Sequence, residues 1–449
     1  MNTKALRQKI LDLAIHGKLV PQDPNDEPAS VLLERIRAEK ERLIKEGKIK
    51  RPKKTKATSD KPHYENVPFE VPSSWVWTTL GEIFTLQAGK NITAKDIYTE
   101  KSEEYKYPCF GGNGIRGYVA ISNKIGEYPI IGRQGALCGN INLAHGSFYA
   151  TEHAVVVERY CDTDLMWGYY TLIALNLNQY ATATAQPGLA VNVINDVAIP
   201  LPPLHEQQRI SKSIKILFSF LDAIECEKLY LKTAISQTKT KVLDLAIHGR
   251  LVPQDPTDEP ATELLKRINP KAEITCDNGH YQKLPEGWCE CCFDDIFNIK
   301  MGQSPNGSSI NHQQGVEFHQ GKILFGDKYL KQSDMFTDAP TKLATPNSLL
   351  LCVRAPVGVV NITQREICIG RGLCSLKPNA AINLDYAYHA LTTYQSDFES
   401  KSTGSTFKAI SGSIIRNEVF ALPPLQEQYR IVTKIEDIFA QLDAIEASL

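Results

Sequence analysis

The chain has 449 residues, of which 42% are hydrophobic, 22% charged and 8% aromatic, and its formal net charge is -1. This composition excludes disordered, collagenous and low-complexity classes and suggests about three domains. The near-neutral net charge does not indicate a strongly basic nucleic-acid-binding protein, although local patches rather than total charge decide the affinity for phosphate. Eleven scattered cysteines, the missing signal-peptide pattern and the lack of 18 uninterrupted apolar residues predict a reduced, cytoplasmic protein without a membrane span.

Two internal repeats organise the sequence. Residues 9–36 and 241–268 agree at 22 of 28 positions, and residues 201–225 and 422–446 agree at 15 of 25. Between them, residues 76–200 and 289–421 share little beyond pattern. The chain is therefore one repeated frame that carries two different inserts.

The N-terminal residues 1–36 are predicted to form part of a split helix, a proline-rich turn and a short helix around 31–36. Acidic residues in this turn and in its repeat are expected to cap the short helices at their positive ends. These residues are Asp26, Glu27, Asp258 and Glu259.

Two further features of the frame have ordinary interpretations. His16 and His248 each sit at a helix end, where a capping role explains them without chemistry. Residues 37–63 are interpreted as a basic linker, because 37–61 holds eleven Lys and Arg against four acids. Non-specific phosphate attraction and a plain disordered linker are the two alternatives for this stretch.

The first insert, residues 64–200, contains short β-like runs broken by glycine and a helical stretch around 165–179. Its run GGNGIRG at 111–117 lacks the lysine and the strand–helix context of a phosphate-binding loop, so we interpret it as a turn. Arg116 and Arg133 would stand on turns or strand ends, from which arginine reaches phosphates or guanine edges. Solvated surface charge is the alternative for both.

Residues 201–268 are predicted to be a central spacer that ends in the repeated turn and short helix. Neither Pro nor Gly occurs from Leu204 to His248, which indicates one helix of roughly 65 Å. Mostly apolar residues in four-three spacing predict a heptad seam that needs a partner helix. Its core positions are Ile210, Ile214, Leu217, Leu221, Ile224, Leu231, Ile235, Val242 and Leu245.

The second insert, residues 281–421, follows a linker at 269–280. It repeats the pattern of the first, with β-like runs at 322–329, 349–354 and 358–362 and a helical stretch around 384–398. The cysteines at 289, 291 and 292 lack the spaced second pair of a structural zinc site. They are interpreted as buried thiols of a strand.

The C-terminal residues 422–449 repeat the first part of the central helix. The N-terminal helix repeats the last part of that helix, so the two ends of the chain carry the two parts of a second helix. The seam positions are Ile431, Ile435, Ile438, Leu442 and Ile445 at one end, and Leu6, Ile10 and Leu13 at the other. We expect the terminal helices to meet as a second, composite rod, antiparallel to the central one, in a pseudo-twofold, circular layout. Two duplicated helical hairpins are the alternative.

The predicted fold class is therefore α+β. Two mostly β domains with helical additions would be separated by two long antiparallel coiled-coil helices. The sequence has no Asn-Pro-Pro-aromatic methyltransferase motif, no Walker loop, no HExxH and no GxSxG, so we predict no catalytic and no metal-binding residues. The length and the missing motif count against a stand-alone methyltransferase–nuclease, whereas a coiled-coil adaptor that binds only protein stays open.

Four repeated motifs resemble those of the specificity subunit of type I restriction–modification enzymes, and the resemblance covers nearly the whole chain. They are LPPLxEQxRI at 201–210 and 422–431, LDAIE at 221–225 and 442–446, the doubled LDLAIHGxLVPQDP, and PxxW at 72–75 and 285–288. The resemblance implies two target recognition domains, each reading one half of a split sequence in double-stranded DNA, with paired helices that set the distance between the halves.

The same resemblance implies the partners. Two methyltransferase (modification) subunits and restriction subunits would assemble on this chain, which would be non-catalytic and bind no cofactor. S-adenosylmethionine, ATP and Mg would be bound by the partner subunits.

The family supplies no residue-level motif for base contacts, so candidate DNA-binding residues follow from side-chain chemistry alone. In the first insert they are Asn113, Arg116, Arg133 and Gln134. In the second they are Lys328, Arg354, Arg371 and Lys408.

Overall fold

The computed structural model describes residues 2–49, 69–135, 137–182, 187–272, 284–404 and 408–449. The chain divides into two units, Met1–Glu227 and Lys228–Leu449. Each unit combines helices with several small sheets, which confirms the predicted α+β class. In the described part of the chain, no helix is long and apolar enough to cross a membrane, and no group of three or more potential ligands could hold a metal ion.

The first unit contains a terminal helix, a short helical segment and the first head, which we define as residues 69–201. Its helices are α1 (Thr3–Ile15), α2 (Ala29–Lys45), α3 (Leu80–Ile83), α4 (Leu165–Ala174), α5 (Val191–Asn195) and the first part of α6 (Leu204–Ile247). Its strands are β1 (Val76–Thr79), β2 (Thr85–Ala88), β3 (Tyr107–Gly111), β4 (Gly114–Val119), β5 (Lys124–Ile125), β6 (Tyr128–Gly132), β7 (Ile141–Ala144), β8 (Ser147–Ala150), β9 (Ala154–Glu158) and β10 (Ala198–Leu201).

The strands of the first head form three sheets. One pairs β1 with β10, a second has the order β2-β9-β6-β7, and a third has the order β4-β3-β8-β5. Strand β9 is buried from Ala154 to Val157 because its apolar run lies in the middle of its sheet. The sequence GGNGIRG forms the β3–β4 hairpin, and Gly114 takes a positive φ of 85° at its turn. This confirms the predicted turn.

Helix α2 corrects the predicted linker at 37–63. The helix does not end near Ile36 but continues to Lys45, because the stretch holds strong helix formers and neither Pro nor Gly. The Lys40 ammonium is buried and donates to the carbonyl oxygens of Gly81 (2.7 Å) and Phe84 (2.7 Å). Burial lowers its pKa to about 8, against the opposing charge of Glu82. The predicted linker residues 50–63 lie outside the described residues.

We expect Lys40→Met to destabilise the first unit by about 1–3 kcal/mol, because the carbonyl groups at the end of α3 lose a buried donor. Lys45→Met is the matched control, since Lys45 is exposed at the end of the same helix. Urea unfolding of both variants measures the difference. Equal unfolding midpoints would show that the Lys40 contacts contribute nothing.

The second unit contains the rest of α6 and the second head, which we define as residues 284–422. Its other helices are α7 (Ala261–Ile268), α8 (Phe293–Ile296), α9 (Leu384–Thr393), α10 (Gln395–Lys401), α11 (Gly412–Arg416) and α12 (Leu425–Ser448). Its strands are β11 (Cys289–Cys292), β12 (Phe297–Met301), β13 (Ile310–Asn311), β14 (Val316–His319), β15 (Phe336–Thr337), β16 (Leu343–Ala344), β17 (Ser348–Cys352), β18 (Val360–Thr363), β19 (Ile367–Ile369), β20 (Leu373–Pro378) and β21 (Val419–Leu422).

The sheets of the second head follow the same plan. Strand β11 pairs with β21, one sheet has the order β12-β20-β17-β18, and another has the order β13-β15-β14-β19-β16. Cys289 and Cys291 are buried on β11, as predicted, whereas Cys292 is exposed where α8 begins. The predicted strand at 322–329 is wrong: a short 3-10 turn at Lys322–Leu324 occupies its start, and Phe325 after it packs against a small core cluster that includes Leu330.

The uninterrupted helix predicted for 204–248 is confirmed by α6. In the first unit, Arg7 of α1 pairs with Asp222 (2.6 Å) and its guanidinium lies over the Phe218 ring (4.9 Å). Arg7 lies near the start of α1, whereas Gln22, just after α1, donates to Glu206 (2.6 Å) at the start of α6. Helix α1 is therefore antiparallel to α6.

The second unit repeats this arrangement with other residues. Lys239 of α6 pairs with Asp443 of α12 and lies over the Phe439 ring (5.6 Å). Farther along, Gln254 donates to Glu427 (3.1 Å), so α12 is antiparallel to its part of α6. Each unit therefore pairs one terminal helix with one part of the central helix.

The predicted seam is buried only in part. Ile210, Ile214, Leu221, Ile235, Val242, Ile431 and Ile435 are buried, whereas Leu217, Ile224, Leu245, Ile438, Leu442, Ile10 and Leu13 are intermediate. Leu6, Leu231 and Ile445 are more than a third exposed, which corrects their placement in the core. The buried residues of α1 are Leu11 and Ala14, because α1 packs against α4 of the head as well as α6.

Candidate nucleic-acid interface

In the first head, the candidate residues lie where strand β6 leaves its sheet. The Arg133 amide donates to His153 O (3.0 Å), and Arg133 O accepts from the Leu189 amide (2.9 Å). Two residues on, the Gly135 amide donates to Pro187 O (3.0 Å). Main-chain bonds thus hold Arg133 and Gln134 between two other segments, and the Gln134 side chain is exposed.

The second head holds the end of strand β17 with the same bonds. The Val353 amide donates to Gly372 O (2.9 Å), and Val353 O accepts from the Ile410 amide (3.1 Å). The Ala355 amide then donates to Lys408 O (3.1 Å). Position by position, Arg354 is the counterpart of Gln134. The inserts share little sequence, yet their main chains follow one plan.

The β3–β4 hairpin brings the other candidates of the first head to the same place. A Cβ added at Gly112 would lie 2.6 Å from Gln134 O, so the hairpin turn touches the β6 end. Asn113, in that turn, accepts from Asn140 Nδ2 (3.0 Å) and is exposed. Arg116 is exposed on β4, and Arg133 is half-buried with an Nε that has no hydrogen-bond partner among the described residues.

Three of the four candidates of the second head lie together. The β17·β20 pairing matches Cys352 with Leu373, which places Arg354 beside Arg371 across the ends of these strands. Arg354 also forms a β-bridge with Ala409, the neighbour of Lys408. All three basic side chains are exposed. They form a positive surface of the kind that contacts phosphates and guanine edges.

Lys328, the fourth candidate of the second head, is already paired with acidic side chains. Its ammonium pairs with Asp385 of α9 (2.8 Å) and Glu436 of α12 (3.5 Å), and it lies over the Tyr388 ring (5.8 Å). Burial lowers its pKa, but the bond to Asp385 and the nearby acids outweigh burial and leave the pKa raised. Two carboxylates already balance this charge, and through them Lys328 ties the head to helices α9 and α12, while its predicted contact with DNA stays a prediction.

The repeated motif LPPLxEQxRI joins each head to its helix. In the first copy, Glu206 accepts from Trp75 Nε1 (2.9 Å), and Gln207 Oε1 accepts from the Asp164 amide (3.0 Å) at the start of α4. Arg209 pairs with Asp26 (2.5 Å) in the proline-rich turn. Burial raises the pKa of Glu206, against the bonds from Trp75 and Gln22.

The second copy of the motif makes equivalent contacts. Gln428 Oε1 accepts from the Asn383 amide (2.8 Å) at the start of α9, and Arg430 pairs with Asp258 (2.6 Å). Since the same chemistry recurs in both units, this part of the frame positions each head on its helix in the same way.

These pairs correct the role predicted for the acids of the turn. The N-cap residues of helices α2 and α7 are Pro28 and Pro260, and no side chain caps either helix. Asp26 and Asp258 instead pair with arginines of the long helices, while Glu27 and Glu259 pair with Arg35 (2.5 Å) and Arg267 (2.7 Å). A buried carboxylate gains more from a bidentate guanidinium than from a helix end. The prediction for the histidines holds, since His16 and His248 Nδ1 bond the carbonyl oxygens of Asp12 (2.6 Å) and Asp244 (2.7 Å).

We expect Arg209→Met to destabilise the first unit by about 1–3 kcal/mol, because the Asp26 carboxylate, only 6% exposed, loses its partner. Adding Asp26→Asn to that variant removes the unpaired charge and restores part of the stability. Urea unfolding of the two single variants and the double variant measures the coupling. Strictly additive effects would contradict the pairing.

Two β-rich heads with one main-chain plan and different exposed side chains define a two-headed recognition scaffold. The sequence profile described as type I restriction modification DNA specificity domain matches residues 72–237 and 285–449. The chain belongs to this family of type I restriction–modification specificity subunits, as its repeated motifs predict.

Individual relatives agree with this assignment. Over 167 residues the chain is 43% identical to the type I restriction enzyme EcoprrI specificity subunit of Escherichia coli, a match that covers 37% of this chain and 41% of that protein. The EcoAI specificity subunit of Escherichia coli is 26% identical in an alignment 527 positions long, which covers 97% of this chain and 88% of that protein.

Solved structures share the fold. A chain from a study of complex assembly and conformational transition of the type I R-M system matches with a TM-score of 0.60 and 24% identity, over 85% of this chain and 94% of that one. The HsdS subunit from Thermoanaerobacter tengcongensis matches with a TM-score of 0.53 and 22% identity, over 85% and 93%.

Sequence reasoning did not single out every residue near the positive surface of the second head. Lys322 lies near the Cys352 thiol at the end of β17, but the sequence offered no signal for it because its segment was interpreted as a strand. The motif residues Glu206, Gln207 and Arg209 were visible as a repeat, and their equal spacing in both copies was the available signal.

Proposed function

We propose that this specificity subunit reads a bipartite target in double-stranded DNA through the strand-end surfaces of its two heads. The observation that carries the proposal is the pair Gln134 and Arg354, which occupy the same main-chain position in the two heads but differ in chemistry. A common scaffold with different exposed side chains is suited to reading different bases in the same manner.

The repeated frame supports a second part of the proposal. Two modification subunits, which carry S-adenosylmethionine, and restriction subunits, which carry ATP and Mg, would assemble on surfaces that occur twice in the chain. This subunit would contribute no catalytic residue and act with these partners in the cytoplasm. The circular layout stays a prediction; it is supported by the antiparallel pairing of α1 and of α12 with α6 inside their own units.

Methylation mapping of host DNA tests the proposal. With the partner genes expressed, deletion of this gene should abolish adenine methylation at one bipartite motif. An unchanged methylation pattern would contradict the proposal and favour the adaptor that binds only protein.

A substitution experiment then tests the positive surface of the second head. The combined Arg354→Ala, Arg371→Ala and Lys408→Ala variant should weaken DNA binding and reduce its salt dependence, by about one unit of slope for each lost phosphate contact. Lys434→Ala, exposed on α12, is the control and should change neither quantity.

A further inference from the structure

One apolar side chain of the second head stands almost entirely in solvent. Ile323 is 94% exposed, the highest value among the exposed large hydrophobic residues of the described chain. It occupies the middle of the 3-10 turn Lys322–Leu324, which follows strand β14. Single exposed apolar residues are common on protein surfaces, so the surroundings decide whether this one has a role.

The turn that carries Ile323 is held by main-chain bonds on both sides. The Phe325 amide donates to Lys322 O (2.9 Å), and the Lys331 amide donates to Leu324 O (2.9 Å). Before the turn, the Gly370 amide donates to His319 O (2.8 Å). A Cβ at Gly372 would lie 2.3 Å from Gln320 O, which shows how closely this segment packs. The exposed side chain therefore projects from a fixed position.

The buried thiol of Cys352 connects the turn to the positive surface. Cys352 Sγ donates to Arg354 O (3.2 Å). Burial raises the pKa of this thiol, while the main chain of Arg354 and the charge and main chain of Lys322 lower it. Lys322 and Arg354 thus both lie near this sulfur atom. Arg371, between Gly370 and Gly372, lies along the same segment.

The first head uses the same position with different chemistry. There the Thr151 amide donates to Phe110 O (3.0 Å), as Gly370 donates to His319 in the second head. The segment after Phe110 contains the polar candidate Asn113, whereas the segment after His319 contains Lys322 and Ile323. Asn113 and Lys322 each lie three residues after the matched carbonyl, and in the second head the fully projecting Ile323 follows directly.

We propose that Ile323 is a specificity-determining residue that contacts bases of the second half-site beside Arg354, while Lys322 and Arg371 hold the flanking phosphates. This inference rests on the proposed function. An apolar side chain among cations can enter a groove and lie against a thymine methyl group or the face of a base. The contact buries surface that the free protein leaves in water, so it rewards only DNA that offers a matching apolar surface.

The test uses the subunit assembled with its modification subunits and two duplexes: the mapped target, and the target with its second half scrambled. Ile323→Ala should reduce the preference for the mapped target by about tenfold, as expected when most of an isoleucine contact is lost. Its affinity for the scrambled duplex should stay unchanged. Ile125→Ala is the matched control, because Ile125 is 72% exposed on β5 of the first head, and it should alter neither value.

The other possible outcomes contradict either the role of Ile323 or the proposed function. An Ile323→Ala complex with the full preference of the wild type overturns the role of Ile323 alone. Equal loss of affinity for both duplexes overturns it as well, since that pattern belongs to a phosphate or structural contact. A wild-type complex that prefers neither duplex overturns the proposed function, and the inference with it.

Discussion

Replacing Glu317 with alanine is expected to destabilise the second head by about 3–5 kcal/mol, the largest stability loss that we predict for this chain. The carboxylate lies on β14 and accepts from Arg365 Nη2 (2.6 Å), His319 Nε2 (2.7 Å) and the Ser333 amide (2.7 Å). Its side chain is 9% exposed and that of His319 is fully buried. Without the carboxylate, a ring nitrogen and an amide lose their acceptor, and the Arg365 guanidinium loses its balancing charge and keeps only the carbonyl oxygens of Leu330 and Lys331.

The pH dependence of stability separates this ion cluster from simple loss of packing. Burial raises the pKa of Glu317, but the bonds from Arg365, Ser333 and His319 prevail and lower it from 4.5 to about 2. A lowered carboxylate pKa contributes stability that is present in full above about pH 4.5 and is lost as the pH falls towards 2. Urea unfolding of the wild type should therefore lose about 3 kcal/mol more over this range than Glu317→Ala does.

Glu366→Ala provides the matched control for this prediction. Glu366 is exposed and adjacent to Arg365, and its substitution should leave both the stability and its pH dependence close to those of the wild type. Parallel pH profiles for the wild type and Glu317→Ala would contradict the assigned role of the cluster.

Exchanging residues 76–200 for the corresponding insert of another family member should switch one half of the recognised sequence completely and leave the other half unchanged. The sheets of the first head share one hydrophobic core with α1, α2 and the start of α6. A foreign insert would bring its own sheets to these three helices. The contacts of Glu206, Gln207 and Arg209 supply the joint that the exchange preserves.

Methylation mapping of cells that express the hybrid measures the outcome. The exchange of residues 289–421 is the reciprocal control and should switch the opposite half. A change in both halves after either exchange would contradict the independence of the two heads.

The frame could be predicted from the sequence because its features are local or repeated. Proline and glycine mark the ends of α6, and the seam spacing identifies its buried face around Ile210 and Ile214. The β3–β4 turn follows from the glycines at 111–117. The shared face of Cys289 and Cys291 follows from the two-residue period of a strand.

The interface could be predicted only in outline, because residues far apart in sequence create it. Lys328 has the chemistry of a DNA contact, but Asp385 and Glu436 neutralise it from two other helices. Lys40 looks like one more charge of a basic stretch, yet its ammonium is buried beneath the end of α3. Arg354, Arg371 and Lys408 carry no signal of their proximity, because the pairing of β17 with β20 joins the first two and the bridge from Arg354 to Ala409 adds the third.

Main-chain bonds hold the strand ends that carry Gln134 and Arg354, and this has an evolutionary consequence. A side chain that projects from such a position can be exchanged without weakening the fold that supports it, since no packing partner is lost. On the proposed function, single codon changes at these two positions would therefore change the preferred DNA sequence and leave the supporting strands intact.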